Sequence, residues 1–202
     1  AFKKATGDFV LTDADTGTST ALNSANYMEV GGRVNSAFAG VGGIGFELTT
    51  VDFGIVMVTD DPLNTPLDST DDINYMALKA DVASAALVGI DGLTAEISLL
   101  SVQVNNTSDT GSPNKVLDFK DTTTNANDNA AASRNVSTGP TTPDVTIDID
   151  GDEGVLLAVQ TNIELDVFGF VQLDGSLAFK KATGDFVLTD ADTGTSTALN
   201  SA

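Results

Sequence analysis

The sequence predicts an all-β protein, an elongated antiparallel sheet unit that continues from one copy of itself to the next. Three observations predict it. Apolar and polar residues alternate over long stretches, hairpin signals separate alternating runs, and a 25-residue segment occurs twice. A sandwich, a roll and a solenoid-like arrangement of such a unit all satisfy these patterns.

The duplication sets the organisation. Residues 1–25 and 178–202 are identical, so the period is 177 residues, and every position of the second copy matches. Residues 1–177 are therefore expected to be one full tandem repeat and residues 178–202 the start of the next. The missing initiator Met fits a segment of a longer array. A unit of this length is long enough for a single core.

The clearest strand signal runs from Val155 to Phe179, where odd positions such as Val159, Ile163, Leu165 and Val171 are apolar and even ones such as Gln160, Glu164 and Asp166 are polar. Period two held this long is a half-buried strand. The phase survives Asp174-Gly175-Ser176, which predicts a three-residue hairpin loop there with Gly175 left-handed. Val155 to Leu173 would extend roughly 60 Å if straight, so either this strand bends near Gly169 or the unit is elongated. Around Asp91-Gly92 the apolar parity switches, from Ala86, Val88 and Ile90 to Leu93, Ala95 and Ile97, as a two-residue type I′ turn requires. That switch favours strand over helix for residues 76–90 despite their Ala content. Residues 44–58 alternate with a phase change at Thr49-Thr50, predicting a bulge or a turn. The run "FKKATGDFVLT" predicts a hairpin about Thr183-Gly184, across the repeat junction. Residues 60–72 predict a loop, and residues 105–144 a long polar excursion holding one short strand, Val116 to Phe119.

Composition excludes several functions. Acidic residues outnumber basic ones 29 to 9, a formal charge of −20, so nucleic acid and anionic membranes are repelled. Cys, His and Trp are absent, which removes disulfides, the usual zinc sites, thiol nucleophiles and a Ser-His-Asp triad. No apolar run reaches the roughly 18 residues that span a bilayer as a helix. A glycosidase carboxylate pair finds few Glu residues and no Trp to stack on sugar. The chain is expected not to be an enzyme.

Carboxylates are the remaining chemistry. Asp148, Asp150 and Asp152 alternate before Gly154, and Asp13 and Asp15 alternate in the duplicated segment, recurring as Asp190 and Asp192. Hard oxygen donors at this spacing suit Ca²⁺, although neither stretch has the EF-hand pattern; an acidic solvated turn has the same composition. Asp68, Asp71 and Asp72 form a weaker cluster of the same kind.

The stretches "NIELDVFGFVQLDGSLAFKK", "SAFAGVGGIGFELTTVDFGIVMV" and "ALVGIDGLTAEISLLSVQVN" resemble the long β-rich tandem repeat of giant bacterial secreted or cell-surface, adhesin-like proteins. The resemblance implies an extracellular, repetitive and non-enzymatic protein, a structural repeat of a fibre, stalk or surface filament. Its partners would be neighbouring copies of its own repeat, with lateral self-association into fibres. The alternative it leaves open is an adhesive module for a glycan or another cell, with calcium as cofactor.

Overall fold

The structure is a computed structural model, which describes residues 1–202 except 64, 66, 67, 121–132, 184, 185 and 200–202, and of residue 186 the backbone alone. Among the described residues there is no α-helix. The strands are β1 (Phe2–Asp13), β2 (Thr18–Val41), β3 (Ile44–Asp60), β4 (Ile73–Val88), β5 (Leu93–Thr107), β6 (Lys115–Asp118), β7 (Arg134–Val136), β8 (Val145–Ile147), β9 (Leu156–Val167), β10 (Val171–Lys181), β11 (Phe186–Thr189) and β12 (Ser196–Leu199). Eight of them form one antiparallel sheet in the order β10-β9-β5-β4-β3-β2-β1-β6. The all-β expectation holds, as an open sheet whose neighbours are mostly neighbours in sequence.

The core lies on one face of one end of this sheet. Phe9, Leu11, Tyr27, Val56, Val58, Tyr75 and Ala77 point inward from β1 to β4, with Leu156 of β9 in the same sheet, and Leu117, Phe119, Val136, Ile147 and Ile149 cover them. The polar stretch after β5 is thus more than an excursion. Its β6 joins the sheet beside β1, and the β7–β8 hairpin lies across β2, β3 and β4. The cover comes so close that a Cβ on Gly31 would sit 2.3 Å from the Ser137 carbonyl oxygen. Glu29, buried on the sheet, fastens it by accepting from Arg134 Nε at 2.5 Å, with the guanidinium carbon 4.6 Å from the Tyr27 ring centre. Charge-assisted bonds of this kind are stronger than neutral ones.

The opposite face is uncovered. In register order, Phe2, Val30, Ile55, Leu78, Val104 and Leu157 form one cross-strand row, and Gly32, Phe53, Ala80, Val102, Val159 and Phe179 form the next. No described element packs against these rows.

Four expectations change in detail. The chain reverses at Phe168-Gly169-Phe170, with φ of 51° and 72° at the first two, and β10 runs straight through Asp174-Gly175-Ser176. A three-residue loop preserves parity wherever it falls, so alternation alone does not place it. At Asp91-Gly92 the turn is present, with Leu93 N–H donating to the Ile90 carbonyl at 3.2 Å. Only Gly92 of the pair has positive φ, so the turn is not type I′. Nor does the facing parity switch across it: Ala86 faces Glu96 and Ile97 faces Ala85, so the apolar sets expected to share a face do not. The phase change at Thr49-Thr50 is an interruption inside β3, where Thr50 has φ 46° and only its neighbours pair. Finally, Thr6-Gly7 lies inside the single strand β1, with a register shift between Gly7 and Phe9, so the first copy of "FKKATGDFVLT" is no hairpin. Its second-copy counterpart Gly184 lies outside the described residues.

Gly92 has φ +80°, and a Cβ there would lie 2.7 Å from Cδ1 of Phe168. Gly92→Val combines left-handed strain with a clash, and we expect it to lower unfolding free energy by about 2 kcal/mol or more in a denaturant titration.

Candidate functional site

The duplicated segment is seen in two settings, which separates what its residues dictate from what their surroundings add. In the first copy Leu11 faces Thr20 and Thr12 faces Ser19; in the second Leu188 faces Thr197 and Thr189 faces Ser196, the same register. The turn repeats as well. Gly17 N–H donates to the Asp13 carbonyl at 2.8 Å and Gly194 N–H to that of Asp190 at 2.8 Å, with φ of 62° and 65° at the two glycines. Asp13 Oδ1 accepts from Asp15 N–H at 3.0 Å, and Asp190 Oδ1 from Asp192 N–H at 2.8 Å. The Asp192 N–H, then the Thr193 N–H and hydroxyl, hold the Asp190 carboxyl below its ordinary range. The hairpin is local; its burial is not. Leu11 is 1% exposed under β6 and the cover, while Leu188, with no such cover, is 56% exposed.

The two copies also stand at opposite edges of one sheet, as β1 and the end of β10. Following partners from Phe2 through Val30, Ile55, Leu78, Val104 and Leu157, the row ends on Lys181. Lys181 is the repeat of Lys4, because 181 − 177 = 4. Six antiparallel steps separate the copies, so β10 runs in the direction of β1. The stagger is two residues, an even number, so each repeated side chain returns to the same face. Lys3 sits on the core face beside Glu29, and its repeat Lys180 sits on that face beside Glu153. With direction and face alike, β9 flanks one edge of this strand and β2 flanks the other. Each edge left open at one copy is the edge paired at the other, except where β6 joins Val10–Asp13.

The predicted acidic residues serve the fold around a residue the sequence did not single out, Asp118. It is fully buried and accepts from the Thr12 hydroxyl at 2.7 Å, Gly151 N–H at 2.9 Å and Lys120 N–H at 3.1 Å. Thr12 precedes Asp13, and Gly151 lies between Asp150 and Asp152, so Asp118 draws the two predicted clusters to one place. Asp15 accepts from Asn114 Nδ2 at 2.9 and 3.1 Å. Asp150 caps the short 3₁₀ turn Gly151–Glu153 by accepting from Asp152 N–H at 3.0 Å. Burial pushes its carboxyl up, with the Asp152 and Asp118 charges adding to the effect and the Asp152 N–H opposing it. Asp148 pairs with Lys79 at 2.9 Å.

The set of three carboxylates among the described residues whose oxygens lie within 4.8 Å of one another is Asp61, Asp71 and Asp72, so the weaker sequence cluster supplies two of the three. Asp61 Oδ1 accepts from Thr65 N–H at 2.9 Å, and Asp71 accepts from the Thr65 hydroxyl at 3.1 Å. Desolvation, then the charges of Asp61 and Asp71, push the Asp72 carboxyl up. A second line of carboxylates, Glu96, Glu164 and Asp174, arises only from register, as direct partners across β5, β9 and β10. Like charges directly opposite are unfavourable for a sheet and draw cations from solution. Asn105, in a glycosylation sequon, is fully buried and donates through Nδ2 to the Leu117 carbonyl at 2.7 Å, which leaves no room for a glycan.

No protein family, curated protein or solved structure matches this chain. Among the described residues no helix is long and apolar enough to cross a membrane.

Removing Asp118 takes the acceptor from the two buried donors, the Thr12 hydroxyl and Gly151 N–H, and from the half-buried Lys120 N–H. We expect Asp118→Ala to cost about 3 kcal/mol, and Asp118→Asn clearly less because its carbonyl still accepts, both measured by denaturant unfolding.

Proposed function

We propose that the chain is a structural repeat whose sheet runs without a break from one unit into the next, building a long extracellular fibre or surface stalk. The observation that carries this reading is the row from Phe2 to Lys181, which brings the repeated strand back in the same direction, on the same face and two residues out of step. In such a fibre residues 171–190 become one strand, continuous through the positions that β1 occupies in the first copy. That strand pairs with β9 of its own unit on one edge and with β2 of the next on the other. Lys180 would then lie between Glu153 of its own unit and the next Glu29.

The absence of a linker composition supports the same conclusion. "KKATGD" at 180–185 has neither Pro nor a Gly/Ser run, and its first-copy equivalent is strand within β1. The uneven burial of the two hairpins is also accounted for, since the second would receive the β6 and the cover of its own unit.

The reading sets a length. Six strands at about 4.8 Å advance the fibre by about 29 Å per repeat, measured across the strands. Electron micrographs of arrays with increasing repeat number should lengthen by about that amount per unit, in stiff rods. Beads of variable spacing, joined by bendable connections, would contradict it.

A further inference from the structure

We propose that the uncovered face of the sheet packs against the same face of a second copy of this chain, so that two sheets pair as a two-layer stack. The proposal needs one unit only and does not rest on end-to-end continuity; either can fail alone.

The face is built for burial. Over residues 28–34 of β2 and their partners, four successive rows cross the sheet, and their members on β2 to β5 are almost entirely apolar, with Val30, Ile55, Leu78 and Val104 at the centre of one row. Strands about 4.8 Å apart and rows about 6.7 Å apart give these four strands and four rows roughly 500 Å². The positions that Phe2 and Lys4 on β1 and Leu157, Val159, Phe179 and Lys181 on β9 and β10 add bring it to roughly 700 Å², close to the roughly 800 Å² that each partner buries in a standard stable interface. Phe2, Val34, Leu157 and Phe179 are 68%, 40%, 38% and 52% exposed along its margin.

Charge selects the occupant. The chain carries −20, yet these rows hold no carboxylate, and their charged members are Lys4 and Lys181 at the two edges. The carboxylates of this part of the sheet, Glu29, Asp52 and Asp81, stand on the other face by alternation. Two like-charged copies repel over most of their surface and can meet without bringing carboxylates together on this one. A face that is uniform and apolar is complementary to itself under a two-fold axis, and two sheets so stacked lie about 10 Å apart, their side chains interdigitating.

The test is sedimentation of the 202-residue chain over roughly 1–100 µM, with two kinds of variant. A particle of twice 20.7 kDa is expected. Ile55→Glu, which places two charges in the stack, should weaken it at least about tenfold while the β circular dichroism is retained. Leu78→Cys, in a chain without other cysteines, should cross-link on oxidation, and Asp81→Cys on the opposite face should not. The cysteine pair decides the matter if Ile55→Glu fails to fold. A monomer throughout overturns the proposal, as does a dimer that cross-links through Asp81→Cys and not Leu78→Cys. A monomer that floats with phosphatidylcholine vesicles overturns it too, and makes lipid the occupant.

Discussion

An antiparallel sheet can contain its own repeat endlessly only if two parities are right. The number of strand-to-strand steps from one repeat to the next must be even, or the chain returns running the wrong way; the accumulated stagger must be even, or every side chain returns to the wrong face. Here six steps and two residues satisfy both. Much of the remaining structure follows. β6 pairs with only Val10–Asp13, so the beginning of β1 keeps an open edge. The cover is confined to one face of one end, so it does not obstruct the edges. Open edges of this length are ordinarily a liability, which proteins blunt or hide. In the proposed fibre they would be the means of joining, and each would be paired.

The interruptions in register are part of the same arithmetic. Pairing between β5 and β9 shifts between Ser98 and Ser101, and between β1 and β2 it shifts at Gly7/Phe9. Leu99 and Thr50, with φ of 52° and 46°, mark where long strands depart from extended geometry. Each local slip changes which side chains face the core. The sum along the row to Lys181 has to come out even, so a single-residue insertion in β5 or β9 would have consequences at the junction and not only nearby.

Strand content was legible because alternation is a property of each strand alone. Val155 to Phe179 and Ala86 to Leu99 alternate, and outside the reversals at 168–170 and 89–92 they form β9 (from Leu156 on) and β10, and parts of β4 and β5. What alternation does not encode is where parity-preserving turns fall, so the same alternation fits a reversal at Gly175 and the one present at Gly169. Nor does it encode which residues of a polar stretch fold back as a cover: Val136, Val145 and Ile147 are too few and too scattered to declare a period. The acidic residues were legible as turns and not as a network. Asp118 sits in "KVLDFKD" with nothing local to distinguish it, and its role comes from Thr12 and Gly151, 106 and 33 residues away. The Glu96-Glu164-Asp174 line likewise depends on register across three strands. The duplication itself was fully legible; its geometric meaning needed the partner of every strand between.

Continuity of the sheet across the junction is most directly read from amide hydrogen exchange in an array of three repeats, at the interior copies of residues 171–181, whose last three residues are the repeats of residues 2–4 and which would lie between β9 of their own unit and β2 of the next. A strand paired on both edges predicts slow exchange at successive amides there, comparable with the centre of β3. Fast exchange at these positions, with β3 still protected, would show units joined by an unpaired connector and would contradict the account.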